Sequence, residues 1–181
     1  MKPEASAEGS PVRAEPATLI LPPGRQAVGS PEDDFAALLL EASGGLSYLD
    51  LTVNGELPHG AMERIERRMQ EIGNRDLHVP VKVRRAPAAY HATEQSEMDG
   101  PPHLLSLRTV CRHHETVVVG GYSETFLSAQ AVATWQAMNE RGRSCSLLVL
   151  EGSSEEAAAT LVDFLDRVHH RLRELLSPGR G

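Results

Sequence analysis

The sequence predicts an α/β protein whose two strand–helix–strand halves form a mixed sheet flanked by helices, preceded by a disordered N-terminal tail. Three observations predict it. Strands and amphipathic helices alternate along the chain, glycines stand between them, and both halves repeat the order strand, turn, helix, strand. Such alternation is typical of α/β sheets with right-handed crossovers. The repeated order fits an ancestral duplication and equally fits two unrelated units of a common type, so both interpretations stay open.

Changes in composition divide the chain into four segments. Residues 1–17 are rich in Pro, Ala, Glu and Ser and have no hydrophobic period, which predicts the disordered tail. The first α/β half covers 18–85, and 86–102 has the Pro-containing, polar composition of a linker. The second α/β half, 103–181, ends in a long amphipathic helix.

In the first half, two helices and their ends are readable from the residue types. Ser30 is expected to cap the first helix, with Pro31 at its first position and acidic residues in its first turn. Gly73 is expected to end the second helix, and Pro80 in the strand HVPVKV cannot donate to a ladder, which predicts an edge strand or a bulge. The apolar stripe of the second helix consists of Met62, Ile65, Met69 and Ile72.

In the second half, LLSLRTVC alternates, with its leucines and Cys111 on one face and Ser106, Arg108 and Arg112 on the other. Ser128 is the expected N-cap of the next helix. The apolar run SLLVL predicts a central strand covered on both faces. The last helix should begin with a capping box between Ser153 and Glu156. Its apolar stripe consists of Leu161, Phe164, Leu165, Val168, Leu172 and Leu175.

Charge and composition exclude several partners. The net charge is -7 and aromatic residues make up 4%, so the chain repels phosphate backbones and offers few stacking surfaces for bases. Lys82 and Arg84 in VKVRR have the spacing of a solvated strand face. No segment has the run of about 20 apolar residues that spans a bilayer. The N-terminal residues contain no apolar leader, and Cys111 and Cys145 are expected to be buried thiols, as in a reducing compartment. We therefore expect a cytoplasmic protein. We expect it to bind neither nucleic acid nor membrane.

The stretch TVCRHHETVVVGG raises the question of a metal or catalytic site. Zinc needs three or four converging ligands, and Cys111 with His113 would supply one pair without a second. The simpler interpretation is a hairpin with Cys111 buried and His113–His114 at its tip, and we favour it over a metal site. Gly120–Gly121 lacks the lysine and spacing of a phosphate loop.

The remaining histidine and cysteine residues that could take part in catalysis have no catalytic partner close to them in the sequence. His169 lies at the edge of the last helix's apolar stripe, and His170 faces outward. Cys145 has Arg141 and Arg143 nearby, which would lower its pKa, but no histidine close to it. We therefore predict no catalytic residue, no cofactor-binding residue, no cofactor and no metal ligand.

Residues 104–152 resemble the opening of the crotonase (enoyl-CoA hydratase/isomerase) family, which begins with a hairpin, a segment ending near LS, a helix and an apolar strand ending in glycine. The resemblance implies a crotonase-like fold element and, for a full-length member, acyl-CoA chemistry. In that family the strand leads into a loop that supplies an oxyanion-hole amide, whereas here Gly152 is followed directly by SSEEAAA. The resemblance therefore implies a truncated relative without the catalytic segments.

Two functions stay open. The first is a non-enzymatic protein-interaction or regulatory module that binds a protein partner or forms a homodimer. The second is an enzyme with a crotonase-like hydratase or isomerase activity. For the first, the large apolar residues of the last helix suggest an interface. The positions expected there are Leu165, Val168, Leu172 and Leu175.

Overall fold

The computed structural model describes six stretches of the chain, which are residues 11–14, 17–86, 98–99, 103–112, 118–119 and 122–177. Their strands are β1 (Pro11–Ala14), β2 (Ala17–Ile20), β3 (Tyr48–Asn54), β4 (Val81–Ala86), β5 (Leu104–Arg112), β6 (Val118–Val119), β7 (Tyr122–Ser123) and β8 (Ser144–Glu151). Their α-helices are α1 (Pro31–Ala42), α2 (Ala61–Gln70), α3 (Glu124–Glu140) and α4 (Ser154–Leu176).

Six strands form one mixed sheet in the order β1-β2-β8-β5-β3-β4. The four strands β8, β5, β3 and β4 are parallel, whereas β2 pairs antiparallel with β8 and β1 pairs antiparallel with β2. β6 and β7 form a separate small hairpin. The predicted α/β class and the mixed sheet flanked by helices are therefore confirmed, and both halves contribute strands to one sheet.

Helices cover both faces of the sheet, but unequally. α1, α2 and α4 pack on one face and form the larger core, in which Phe35, Ile65 and Leu161 are buried. α3 packs on the opposite face over β5 and β8 and forms the smaller core around Trp135 and Met138. Of the four α-helices named above, three therefore lie on one side of the sheet and one on the other.

Two predicted caps are confirmed and one is wrong. The Ser30 side chain accepts a hydrogen bond from Asp33 N at 3.2 Å, and Ser153 with Glu156 forms the capping box of α4. Ser128 lies inside α3. The N-cap of that helix is Ser123, whose extended backbone lets its hydroxyl accept from Phe126 N at 3.2 Å. The helix begins five residues earlier because this upstream serine satisfies its first amides.

Gly73 does not end the second helix. α2 continues as a π-helix over Glu71–Leu77, and the left-handed residue that closes it is His78, with φ 56°. Gly73 is buried, and a Cβ at this position would lie 2.1 Å from Cγ2 of Val81. The glycine is therefore a packing residue that lets the helix approach the start of β4.

The two edge strands of the described sheet, β1 and β4, can be compared with the predicted N-terminal tail and the predicted edge strand. Pro11–Ala14 form β1 and Ala17 begins β2, both within the range 1–17 that was expected to be a tail, and the other residues of that range lie outside the described ones. β4 lies at the edge of the described sheet, directly after Pro80, as the proline predicted.

Most of the expected linker 86–102 and all of His113–His114 lie outside the described residues. Within those residues, no helix is both long and apolar enough to span a bilayer.

Candidate functional site

The fold has a topological switch point between β3 and β5. From β3 the chain crosses one face of the sheet through α2 to β4, and from β5 it reaches β8 through α3 on the other face. In open α/β sheets, ligands bind outside the carboxyl ends of the strands at such a point. Here that edge holds Gly55, with φ 142°, in close approach to Cys111: a Cβ on Gly55 would lie 3.1 Å from both Cβ and Sγ of Cys111.

Cys111 is buried at this edge, as predicted, with 1% of its surface exposed. Burial, with a smaller contribution from the charge of Glu124, raises its pKa to about 12. A thiol in this state is protonated at neutral pH, and the protonated thiol is a much weaker nucleophile than the thiolate. The histidines next to it in sequence lie outside the described residues, and the part of the chain that is described contains no cluster of three or more metal-ligating side chains.

Cys145 lies on the opposite face of the sheet, in the smaller core. Its pKa is raised to about 12 because the cost of burial exceeds the stabilising effects of Arg108 and Ser106 on the thiolate. The expected influence of the nearby arginines is not seen. Arg141 forms an ion pair with Asp99, and Arg143 donates to the carbonyl oxygen of Met98 at 3.1 Å.

A buried polar cluster on the α3 face of the sheet has no clear signature in the sequence. Asp50 of β3 accepts hydrogen bonds from Ser106 at 2.9 Å and from Arg84 at 3.2 Å. Arg84 also donates to Thr52 at 2.9 Å, and Arg108 is fully buried nearby. The alternation correctly placed Arg84 on the side of its strand opposite Val81 and Val83, and Ser106 and Arg108 on the side opposite Leu105 and Leu107. The expectation of a solvated face was wrong, because the side chain of Arg84 is only 9% exposed.

The cluster joins three strands of the sheet. Asp50, Arg84 and Ser106 come from β3, β4 and β5, and the side chain of Asp50 is 0% exposed. Hydrogen-bonded partners satisfy a buried carboxylate that would otherwise be costly to desolvate. The arrangement therefore holds the switch point together.

His169 connects α4 with α2 and the π-helix. Its Nδ1 lies 2.7 Å from Nη1 of Arg68, and its Nε2 lies 2.8 Å from Oδ2 of Asp76. Arginine only donates, so Nδ1 of His169 is the acceptor in its contact with Arg68. The ring nitrogen that could accept a proton, Nδ1, is thus already hydrogen-bonded to Arg68. His170 faces solvent, as expected, with 77% of its side chain exposed.

The four α4 positions expected at an interface pack inside the chain. Leu165, Val168 and Leu172 are fully buried, and Leu175 is partly buried against the same core. The stripe that looked too wide for a small sheet is covered by α1 and α2, which both pack on α4. These four positions therefore do not form an exposed apolar surface.

The outer face of α3 has the properties of such a surface. Between its terminal residues Glu124 and Glu140, the helix carries no Asp, Glu, Lys or Arg. Phe126 and Val132 are 46% and 37% exposed. The ring of Phe126 stacks on exposed Tyr122 with a centroid distance of 5.0 Å.

A shallow depression of about 670 Å³ runs along this face. Its lining includes two charged residues, Arg112 and Glu124, together with uncharged α3 residues such as Thr125, Ala129, Val132 and Gln136. The opposite face of the same helix is the apolar one that packs on the sheet, through Leu127, Ala131, Trp135 and Met138. The outer face is therefore uncharged between the helix ends, with the polar residues Thr125 and Gln136 beside the apolar Phe126 and Val132. The lack of charge in TFLSAQAVATWQAMN is the sequence signal that would have identified this surface.

Comparison with known proteins adds a fold neighbour. The hypothetical protein TT0462 from Thermus thermophilus has a crystal structure that matches with a TM-score of 0.62 at 21% identity. The match covers 78% of this chain and 39% of that chain, so the present chain matches well under half of TT0462. At this identity the likeness concerns the fold alone. No protein-family model and no curated sequence matches the chain.

Proposed function

We propose that this protein is a non-enzymatic protein-interaction or regulatory module that binds its partner through the outer face of α3. The observation that carries the proposal is the absence of charge over residues 125–139 of a helix whose outer side is exposed. Apolar and aromatic side chains are enriched, and charged ones depleted, at the centre of protein interfaces. Phe126 and Val132 lie in such a patch.

The other helices show how unusual this face is. α2, with ten residues, contains five charged side chains, and α4 carries acidic and basic residues along its whole exposed side. Charge on an outer face keeps a helix solvated and prevents non-specific association. The uncharged side of α3 is therefore suited to contact with another protein surface.

A crotonase-like hydratase or isomerase is the alternative proposal, and the backbone at the end of β8 weighs against it. Gly152 N donates to the carbonyl oxygen of Arg112 at 3.1 Å, and Ser153 N donates to the Glu156 carboxylate at 2.7 Å. An oxyanion hole needs amides directed at the substrate oxygen. These amides are engaged in closing β5 on β8 and in capping α4.

Site-specific photo-crosslinking in the host cell tests the proposal. A photoreactive residue replaces Ala133 on the outer face of α3, and the matched control replaces Ala159, an exposed alanine on α4. We expect a discrete protein adduct from position 133 that is lost when Phe126→Ser is added, and none from position 159. Equal labelling at both positions, or none at position 133, would overturn the proposal. Turnover of acyl-CoA esters by the purified protein would favour the alternative.

We further propose that the protein acts in the cytoplasm and takes no nucleic acid or cofactor. The two thiols support the cytoplasmic location, because Cys111 and Cys145 lie in the cores on opposite faces of the sheet and are both free. Such unpaired thiols are typical of reducing compartments. The net charge of -7 opposes binding to phosphate backbones.

A further inference from the structure

We infer that His169 is a proton-operated switch, which exchanges a contact between α4 and α2 for contacts between α4 and the π-helix. The neutral ring accepts a hydrogen bond from Arg68 of α2, and the protonated ring pairs with Asp76 and Glu71 of the π-helix. Because α2 and α4 pack on the face of the sheet opposite α3, this inference does not rest on the proposed function.

The Nδ1 side of the ring requires the neutral state. Nδ1 of His169 lies 2.7 Å from Nη1 of Arg68, and an arginine nitrogen can only donate. A proton on Nδ1 would set a second N–H and a second positive charge against this guanidinium. The contact with Arg68 therefore exists only while Nδ1 carries no proton.

The Nε2 side of the ring favours the protonated state. Nε2 lies 2.8 Å from Oδ2 of Asp76, whose side chain is only 10% exposed. The two atoms are close but not aligned for a hydrogen bond, and both are buried without a hydrogen-bond partner. Among the described residues, His169 is the only basic side chain within ion-pair distance of Asp76. Since a buried carboxylate is costly unless a positive charge faces it, Asp76 stabilises the charged ring.

Arg68 and Glu71 are placed to complete the exchange. Nε of Arg68 donates to Asp166 of α4 at 2.5 Å, and its Nη1 also contacts Glu71. Oε2 of Glu71 lies 3.9 Å from Nδ1 of His169. When Nδ1 gains a proton, the Glu71 carboxylate turns to it, while the guanidinium stays on Asp166. The exchange needs side-chain rotation and no unfolding.

Water reaches the ring from a depression of about 610 Å³ between α2 and α4, which His169 lines together with His170, Arg173 and Glu174. Of these neighbours, Glu174 lies 3.7 Å from His170 and so offsets the charge that His170 gains in acid. Histidine is the side chain whose charge ordinarily changes between about pH 5 and 8, which is the range over which the switch is expected to work.

The acidic residues of α1 do not disturb this balance. Glu32 pairs with Arg167, and Asp33 pairs with Arg171. Each of these arginines is two residues from His169 and therefore lies about 200° around α4 from it, at 3.6 residues per turn. The charges that decide the state of the ring are thus those of α2, the π-helix and Asp166. π-Helical turns frequently occur at functional sites, which suits a switch at this place.

Side-chain NMR across pH tests the switch. Proton–nitrogen spectra of the histidine rings and of the arginine Nε–H groups, recorded from about pH 8 to pH 5, show which ring nitrogen carries a proton and when Arg68 changes its surroundings. We expect Nδ1 of His169 to be unprotonated at the upper end, and the Arg68 signal to shift as Nδ1 gains its proton. A ring that does not change charge over this range, or an Arg68 signal that stays still while it does, would overturn the inference.

Two neighbouring histidines provide a matched pair of variants. His169→Gln keeps a donor and an acceptor but cannot become charged, so the pH-dependent shift of the Arg68 signal should disappear. His170→Gln removes a histidine whose side chain is 77% exposed and should leave that shift intact. Survival of the shift in His169→Gln, or its loss in both variants, refutes the switch.

A second pair of variants keeps the histidine and tests its carboxylate partner. Asp76→Asn removes the charge at nearly constant size, so His169 should take up its proton at a lower pH than in the wild type. Asp163→Asn makes the same change at a side chain of α4 that is 59% exposed and pairs with Arg167, and it should leave the titration midpoint of His169 unchanged. Equal midpoints in Asp76→Asn and the wild type would show that Asp76 does not hold the charged ring, and the inference would fail.

Discussion

Arg84 of β4 and Asp50 of β3 form a buried ion pair, with Nη2 of Arg84 3.1 Å from Oδ1 of Asp50. The pair lies between neighbouring parallel strands, and Asp50 also accepts a hydrogen bond from Ser106 of β5. One carboxylate therefore connects three strands at the switch point. Its partners are positioned by strand register, since Asp50 aligns with Lys82 on one side and with Ser106 on the other.

We predict that Asp50→Ala lowers the free energy of unfolding by about 3–5 kcal/mol, because it leaves the Arg84 guanidinium in the protein interior without its carboxylate. Urea denaturation monitored by circular dichroism measures the change. The control is Arg25→Ala, which removes the exposed ion pair with Glu41 and should have a much smaller effect. Equal losses in the two variants would contradict a structural role for the Asp50 cluster.

Replacing Gly73 should destabilise the protein through a clash with one identified atom. A Cβ at this position meets Cγ2 of Val81 at 2.1 Å, so Gly73→Ala should cost about 1–3 kcal/mol as an overpacked core does. Val81→Ala in the same chain removes that atom and should recover part of the loss. Gly44→Ala, where a Cβ meets nothing within 4 Å, is the control and should be neutral or slightly stabilising. Thermal unfolding of the four proteins checks the order.

Two serines decide where α3 begins. Ser123→Ala removes the hydroxyl that accepts from Phe126 N and should cost about 1 kcal/mol of stability. Ser128→Ala replaces a residue inside the helix with the best helix former and should be neutral or stabilising. Chemical denaturation of both variants measures the difference. A larger loss of stability in Ser128→Ala than in Ser123→Ala would instead indicate that Ser128 is the N-cap.

The two buried thiols should make the protein less stable in alkali. Their pKa values are about 12 in the folded chain and 9.0 in the unfolded chain, so above pH 9 the unfolded state releases protons that the folded state keeps. Stability is therefore fully present below pH 9 and falls by up to about 1.4 kcal/mol per pH unit for each thiol until pH 12. The double variant Cys111→Ala, Cys145→Ala should lose less stability over this range. Parallel curves for wild type and variant would contradict the prediction.

Much of the fold could be predicted from the sequence because its strands, helices and helix caps depend on residues close together in the chain. The alternation of β5, the stripes of α2 and α4, the Ser30 cap and the capping box at Ser153 all follow from neighbours a few residues apart. The N-cap of α3 was missed locally, since Ser123 and not Ser128 accepts from Phe126 N, whereas the error at Gly73 came from a distant contact. Gly73 looked like a helix end because its closeness to Val81 arises only when the π-helix folds onto β4.

The candidate surfaces were harder to predict for the same reason. Strand parity placed Arg84 and Arg108 on one face but could not show that the face is covered. The α4 stripe was visible, but the helices that bury Leu165 and Leu172 are more than 90 residues away in sequence. The uncharged length of α3 was present in the sequence. Its significance could not be recognised from the sequence, because only the structure shows that Phe126 and Val132 lie on the side of the helix away from the sheet.

The pairing of β2 with β8 has a consequence for how the chain folds as it leaves the ribosome. Ile20 aligns with Leu147, so the strand that β2 needs is synthesised 127 residues later. At 5–20 residues per second, the nascent chain waits roughly 6–25 seconds with the apolar sides of β2 and α1 uncovered. The unit formed by β3, α2 and β4 is complete much earlier. The sheet can thus assemble from its β4 edge through β3, β5 and β8, and β2 is covered only when β8 has been made.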